Sequence, residues 1–494
     1  MEAEITARQH AIGRTLDSTP VGRRRLGAWA LAASGIGLDG YDLFIMSVAG
    51  PLIVLDMGLD PWQKSLAVGA AVVGAVPGAL FSGRLADRIG RQRMLKIDIV
   101  LFVVTAIASA LSWNVWSLVA FRFLQGMAVG AEYPLSASMI AEVMPARNRG
   151  KWMTGAFSFQ ALGMVGGAVI GFIILSAYPE PGAWRLMLLS GVIPAVIVAV
   201  LRLCVPESPR WRADQGELDQ AEQDTEWLTG DFPTVTDEDR LFAEVYGKGP
   251  QPRAGARELL KPVWRRALLF TAIPWFLMDI ALYGVGLFTP TILMGLTNGT
   301  SASSDTQFIK DDIIATQQAA FTDVFLIVGF AINILLVERT GRIRLQLVGF
   351  LGMFASLAVL AYTGTAGPEW LILLAFIAFN TMMNAGPNAT TYLLPAEVYP
   401  TLLRATGHGV AAASGKVGAV IGTFFLPLAT VWFGLSPSLA VIAMLTLVGA
   451  GVTWYFRIET RGASLDASDE LAEELSDGEL DDELPPHERH PDGN

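Results

Sequence analysis

Twelve apolar runs, each close to or beyond twenty residues, dictate what this chain can fold into. They lie at about 27–55, 63–83, 94–112, 115–141, 152–177, 183–204, 267–295, 317–337, 345–364, 369–394, 407–433 and 437–457. Crossing a hydrocarbon layer of about 30 Å takes about 20 residues of α-helix, so each run predicts one membrane span. The chain is 52% hydrophobic and only 16% charged, which fits an integral protein of the lipid bilayer. An all-α membrane protein with twelve transmembrane helices is expected. The even count puts both termini on one side.

Arginine and lysine crowd alternate connections, at 23–25, 84–96, 147–151 and 339–344, whereas the intervening loops hold Asp56, Asp60, Glu180, Asp311 and Asp312. Basic connections stay in the cytoplasm, so the reading is a multi-pass protein of the cell membrane with cytoplasmic termini. Residues 1–26 are polar and basic, and the first apolar run is too long for a signal-peptide core; it is expected to act as its own insertion signal. The single cysteine, Cys204, leaves no intramolecular disulfide and no thiolate metal site. Neither metal nor cofactor is expected. Residues 466–494 carry twelve acids against one arginine, which predicts an acidic, disordered and solvated tail within 459–494. His487 and His490 fall in it and are not read as metal ligands.

A polar stretch at 205–264 divides the spans six and six, and short charged strings recur across it. GRLADRIGRQR at 83–93 has a counterpart in LVERTGRIR at 336–344, with Gly90 and Gly341 separated by 251 positions. AEVMPARNRG at 141–150 returns as AEVYPTLLRATG at 396–407, and PESPRW at 206–211 as RIETRG at 457–462. Near-equal offsets argue for a duplicated six-helix unit. The expected organisation is an N-terminal segment (1–26), a first bundle (27–204), a cytoplasmic linker (205–264), a second bundle (265–458) and the tail. Within the linker, DQGELDQAEQDTEWL suits a surface helix and GKGPQPRAGAR a loop.

These strings resemble the major facilitator superfamily over about 27–462. The resemblance implies two pseudo-symmetric six-helix bundles that rock about a central site. It also implies conformational roles for Asp87, Arg88 and Arg91, whose glycine-flanked loop joins two helix ends. Similar latches are expected from Glu142 and Arg149 in the first half and from Glu397 and Arg404 in the second.

The middle of the membrane carries the remaining chemistry. Trp275, Asp279 and Tyr283 stand four apart, so one helix face presents an acid between an indole and a phenol. An aspartate at bilayer depth costs about 2.5–3.5 kcal/mol unless it finds a partner, a proton or a water-filled cavity. Asp39 and Asp42 in the first run, Glu132 in the fourth and Lys416 in the eleventh join it, while Asp98 and Asp323 lie near span ends. Four acids against one cation repel an anion unless carboxyls are protonated, and burial with neighbouring carboxylates favours the proton. Proton coupling is therefore expected from Asp39, Asp42, Glu132 and Asp279. Tyr133, Gln160, Trp275, Tyr283 and Asn388 add donors for oxyanion oxygens, and Lys416 a compact positive charge. Helix pairing and core packing are the alternative reading of any one of these residues.

LDGYD at 38–42, GAEYPLS at 130–136, FQALG at 159–163, WFLMDIALYG at 275–284, GPNATTYLLPAE at 386–397 and ATGHGVAAASGKVGA at 405–419 together resemble the phosphate:proton symporters of that superfamily. The resemblance implies that Tyr133, Gln160, Trp275, Asp279, Tyr283 and Asn388 surround phosphate, that Lys416 lines the site, and that Asp39 and Asp42 belong to the proton path. Two residues depart from the family: Leu38 replaces a threonine and Glu132 an aspartate, and both bear on proton stoichiometry. Phosphate and protons are thus the expected partners of a functional monomer, with no nucleic acid.

Three alternatives stand beside it. An organic-anion transporter shares the framework. A sugar porter shares the latch strings but typically carries a glutamine pair where this chain has WFLMDIALYG. A nutrient receptor without net transport is invited only by the acidic tail. An enzyme is not expected, since no nucleotide-binding loop, HExxH or strand-borne GxSxG is present.

Overall fold

The computed structural model describes residues 2–460 apart from 146–148, 247–257, 287, 290–291, 294–304, 365–366, 400 and 459. The described elements are all helical. Ten helices are long and apolar enough to cross a membrane. Two further long helices, Arg91–Ala110 and Val115–Val143, carry ionisable side chains and complete the twelve. In chain order the spans are 1 (Arg23–Met57), 2 (Pro61–Ile89), 3 (Arg91–Ala110), 4 (Val115–Val143), 5 (Arg149–Ala177), 6 (Ala183–Arg202), 7 (Trp264–Gly286), 8 (Asp305–Thr340), 9 (Arg342–Thr363), 10 (Glu369–Val398), 11 (Thr401–Phe433) and 12 (Leu435–Phe456). The seventh run was expected to reach residue 295; its end lies outside the described residues, as does the acidic tail.

Close helix contact is built on small residues, as expected where lipid offers no hydrophobic drive between helices. Spans 1 and 5 meet backbone to backbone: a Cβ on Gly40 would sit 2.0 Å from the Gln160 carbonyl oxygen. Span 11 approaches span 7 in the same way, since a Cβ on Gly418 would lie 2.1 Å from the Phe276 carbonyl oxygen. One hydrophobic core runs through both halves and includes Tyr133, Trp275 and Tyr283.

Four spans are not continuous α-helices. Span 5 breaks at Ser158, span 6 at Gly191 and span 10 at Gly386, while span 7 ends in a π-helical turn, Leu282–Gly286. Pro387 removes one backbone donor at the span 10 break. Three of these breaks adjoin Gln160, Tyr283 and Asn388. The expected even ladder of Trp275, Asp279 and Tyr283 is accordingly bent, with Tyr283 lying in the wider π turn.

At the linker side the repeated strings form matching ion pairs. Gly90 and Gly341 take φ +112° and +87°, a region open to glycine, and start spans 3 and 9. The residue that follows each glycine reaches the repeated acid: Arg91 Nε donates to Glu142 at 3.0 Å and Arg342 Nη2 to Glu397 at 2.9 Å. Ser208 and Thr460 donate to the same acids from corresponding positions. Arg149 departs from the expected latch with Glu142, because it pairs with Asp17 at 2.8 Å instead. Arg88 is exposed. The side chains of Asp87 and Arg404, although both lie in described helices, are outside the described residues.

The N-terminal segment, read from sequence only as polar and basic, contains a helix, Glu2–Ser18, that lies on the linker helices Leu218–Thr229 and Asp237–Tyr246. The first of those helices falls where DQGELDQAEQDTEWL predicts one; the GKGPQPRAGAR string lies outside the described residues. Asp239 anchors the contact, accepting from Arg14 at 2.9 Å and meeting the His10 ring at 2.6 Å. Burial opposes its ionisation, but hydrogen bonds from Arg14, Thr236 and His10 hold the carboxyl below the usual range. Its contribution is therefore fully present at neutral pH and lost only on strong acidification. Asp239→Asn removes charge-assisted bonds worth about 1.5–3 kcal/mol each, so limited proteolysis should cut within residues 1–18 at least tenfold faster than in the wild type.

Candidate functional site

The polar side chains of spans 4, 5, 7, 10 and 11 converge between the two halves. Gln160 Nε2 donates to Tyr133 Oη at 2.8 Å, and Asn388 Nδ2 reaches Gln160 Oε1 at 3.5 Å across the halves. Lys416 Nζ donates to Tyr283 Oη at 2.9 Å and lies 4.0 Å over the Tyr133 ring. Tyr133 also meets Tyr283 and lies within electrostatic reach of Asp39 and Asp279, and the Trp275 indole N–H donates to Asp279. All seven expected substrate-binding residues thus meet in one place. Asp39 and Asp279 are each 2% exposed, each leaves one carboxylate oxygen without a hydrogen-bond partner, and neither forms an ion pair among the described residues.

The expectation of a single buried cation is corrected. Arg122 and Arg202 lie inside spans 4 and 6 and are each 1% exposed. Arg122 Nη1 donates to both oxygens of Asp42, at 2.7 and 2.9 Å, and Gln125 adds a third bond to that acid at 3.0 Å. Arg202 grips Glu132 through two nitrogens at 2.6 and 3.2 Å, and Asp98 packs against the same carboxyl. Asp42 and Glu132 are therefore drawn into ion pairs, while Asp39 and Asp279 remain beside Lys416. The signal for both arginines was available, since each falls within an apolar run and a lone buried guanidinium demands a carboxylate.

Toward the linker, the site is floored by aromatic rings. Phe157 of the first half stacks on Tyr392 of the second with centroids 4.4 Å apart and planes 9° from parallel. His408 stands edge-on to both Tyr392 and Trp275, and its ring bonds the Tyr392 carbonyl at 3.1 Å. On the far side a cavity of about 20 Å³, lined by Ser47, Gln160, Tyr283 and Gly286 among others, has room for a single water rather than an anion. Farther out, Phe424 packs against Trp62 and Gly69. Among the described residues, the site is bounded by these rings on the linker side and by the small cavity on the other.

Comparison with known proteins followed the same lines. Residues 29–472 match the family model described as sugar (and other) transporter. A probable inorganic phosphate transporter 1-12 of Oryza sativa subsp. japonica is 31% identical over 92% of each chain. Inorganic phosphate transporter 1-1 of the same plant is 31% identical over 94% of this chain and 97% of its own. Low affinity inorganic phosphate transporter 4 of Medicago truncatula is 29% identical over 91% of this chain and 92% of its own. Among solved structures, the proton:xylose symporter XylE bound to 6-bromo-6-deoxy-D-glucose aligns with a TM-score of 0.76 at 22% identity, covering 90% of this chain and 98% of that one. The inward-open conformation of the xylose transporter from E. coli aligns at 0.68, also at 22% identity, over 90% and 99%.

The paired arrangement of Glu132 and Arg202 makes a sharp stability prediction. Arg202→Leu leaves a buried carboxylate uncompensated, a loss of about 3–5 kcal/mol, whereas replacing both partners by apolar residues is close to neutral. Thermal unfolding in detergent should show a large drop for Arg202→Leu and substantial recovery in Glu132→Leu/Arg202→Leu.

Proposed function

The chain belongs to the sugar (and other) transporter family of the major facilitator superfamily, and we propose that it imports inorganic phosphate together with protons by alternating access. The observation that carries this reading is the meeting of Tyr133, Gln160, Tyr283, Asn388 and Lys416 with two unpaired acids, Asp39 and Asp279. The donors and the ammonium suit an oxyanion. The acids suit an anion that carries its own O–H and a solute that travels with protons. The names of the relatives at about 30% identity support phosphate.

In this mechanism Asp39 and Asp279 take up protons from the outside, which removes the charge that repels the anion. Phosphate then replaces the contacts that Tyr133, Gln160, Tyr283, Asn388 and Lys416 make with one another, accepts their hydrogen bonds along with that of Trp275, and donates its O–H to a carboxyl. Asp42 and Glu132, held by arginines, tune the field around Asp39. Rocking of the bundles 27–204 and 265–458 breaks the Phe157–Tyr392 floor and the Arg91–Glu142 and Arg342–Glu397 latches, with Asp87, Arg88, Arg149 and Arg404 acting in the same gates. Deprotonation on the inside then expels the anion. The membrane potential adds about 2.3 kcal/mol per charge per 100 mV. On this account the protein works as a monomer in the plasma membrane, with the linker 205–264, the segment 1–26 and the tail 459–494 in the cytoplasm.

A small organic carboxylate is the competing substrate, because Lys416 and the same donors serve any carboxylate oxygen. It lacks a second ionisable O–H, as sulfate does at neutral pH, so each leaves an acceptor unmet at a cost of about 1–3 kcal/mol. Proteoliposomes under an imposed pH gradient should accumulate labelled phosphate, with unlabelled phosphate competing at least tenfold better than sulfate or small carboxylates. Stronger competition by a carboxylate reassigns the substrate. Asp279→Asn should abolish gradient-driven accumulation, and normal pH-dependent uptake by that variant refutes the coupling role.

A further inference from the structure

Asp323 of span 8 is buried in the second half, at 3% exposure, away from the residues assigned to the site. Its Oδ1 accepts from Asn380 Nδ2 of span 10 at 3.0 Å, and the same amide donates to the Thr322 carbonyl at 3.1 Å. Its Oδ2 has no partner, and it forms no ion pair among the described residues. Span 8 packs against spans 5, 9 and 10. The acids of those three spans whose side chains are described are engaged elsewhere: Glu369 with Gln318, and Glu397 with Arg342, which also holds Glu338 of span 8. Among the described residues, Asn380 is the polar side chain that bonds Asp323.

Asn380 is also the first rung of a ladder. Asn384 Nδ2 donates to the Asn380 carbonyl at 2.9 Å, and Asn388 Nδ2 to Asn384 Oδ1 at 2.8 Å, before reaching Gln160. Asn380 and Asn384, four apart, share a helix face, and the Asn388–Asn384 bond carries the ladder across the break at Gly386. Asparagine is a poor helix former, and three buried ones are costly in a membrane unless they act. The stripe joins Asp323 to the central site. Toward the far side, Thr316 lies two turns along span 8 on the same face, buried and with its hydroxyl unpartnered.

We propose that Asp323 and Asn380 form a second, separate proton-binding site, on the far side of the substrate site and linked to it by Asn384 and Asn388. The occupant is a proton rather than a metal cation. A metal needs several oxygen ligands, whereas Asn380 turns its N–H groups toward the acid and one free lone pair suffices for a proton. Uptake of H⁺ forms an O–H bond on Oδ2 and replaces a charge-assisted tie between spans 8 and 10 by a weaker neutral one. That loosens the segment of span 10 that ends at Asn388. The coupling to transport rests on the proton-symport reading above; the protonation site does not.

Infrared difference spectra of the purified, substrate-free protein, titrated with acid, test the site directly. Asp323→Asn should remove one protonated-carboxyl band that Asp279→Asn leaves in place, and Asn380→Leu should move the titration of that same band. In proteoliposomes Asp323→Asn should lower the proton-to-phosphate ratio by a full proton while phosphate exchange at equal pH persists. Spectra of Asp323→Asn that superimpose on the wild type at every pH overturn the proposal. So does a band that disappears on adding sodium at fixed pH, which assigns the site to a metal cation. A lost band with no phosphate transport in the wild type keeps the protonation site and rejects the phosphate reading alone.

Discussion

The arrangement depends on one constraint: hydrocarbon does not tolerate an unpaired charge. Every buried ionisable group must find a counter-charge or hold a proton. Sorting the buried groups by that rule divides the molecule into structure and chemistry. Asp42 with Arg122, Glu132 with Arg202, Arg91 with Glu142 and Arg342 with Glu397 are matched pairs that tie helices to one another. Asp39 and Asp279, left beside Lys416, and Asp323, left beside Asn380, have no counter-charge paired to them among the described residues and are the groups proposed to exchange protons. The Asp42–Arg122 and Glu132–Arg202 pairs tie the helices of the first half together, whereas the pairs at Glu142 and Glu397 lie at the linker-side ends of the spans and are the proposed latches.

The backbone prepares the same place. A π turn in span 7 and breaks at Ser158 and Gly386 set Tyr283, Gln160 and Asn388 at the level where the halves meet. Glycines at positions 40 and 418 let span 1 approach span 5 and span 11 approach span 7 within the two halves. Interrupted helices are tolerated in a membrane only where protein or a polar cavity satisfies the freed backbone groups. Beneath these polar side chains, Phe157 and Tyr392 close the linker side with apolar area and can separate when the halves rock.

Most of the fold was legible because its signals are periodic and strong. Twelve apolar runs gave the spans and three repeated strings gave the pseudo-symmetry, but the second latch was read as Glu397 with Arg404, and the pair of Glu397 with Arg342 came only from the structure. The seven substrate-side residues were legible partly through spacing and partly through resemblance, and they do come together. The two arginines themselves were legible in the apolar runs, but their partners were not. Arg122 and Arg202 sit toward the ends of apolar runs, where a basic residue also reads as an anchor, and pairing across about 70 to 80 positions leaves no local trace. Arg149 was placed with Glu142 by motif, but the N-terminal helix that supplies Asp17 is not visible in hydropathy. The asparagine stripe of span 10 was half seen, as Asn388 alone, because Asn380 and Asn384 gain meaning only opposite Asp323.

The central claim is that phosphate and protons share one buried site and bind together. Calorimetric titration of the purified protein with phosphate, repeated in buffers of different ionisation enthalpy, measures the protons taken up at the moment of binding. The account predicts net proton uptake with phosphate near neutral pH, diminished when Asp39 or Asp279 is replaced by asparagine. Binding with no change in bound protons, or no phosphate binding at all, contradicts it.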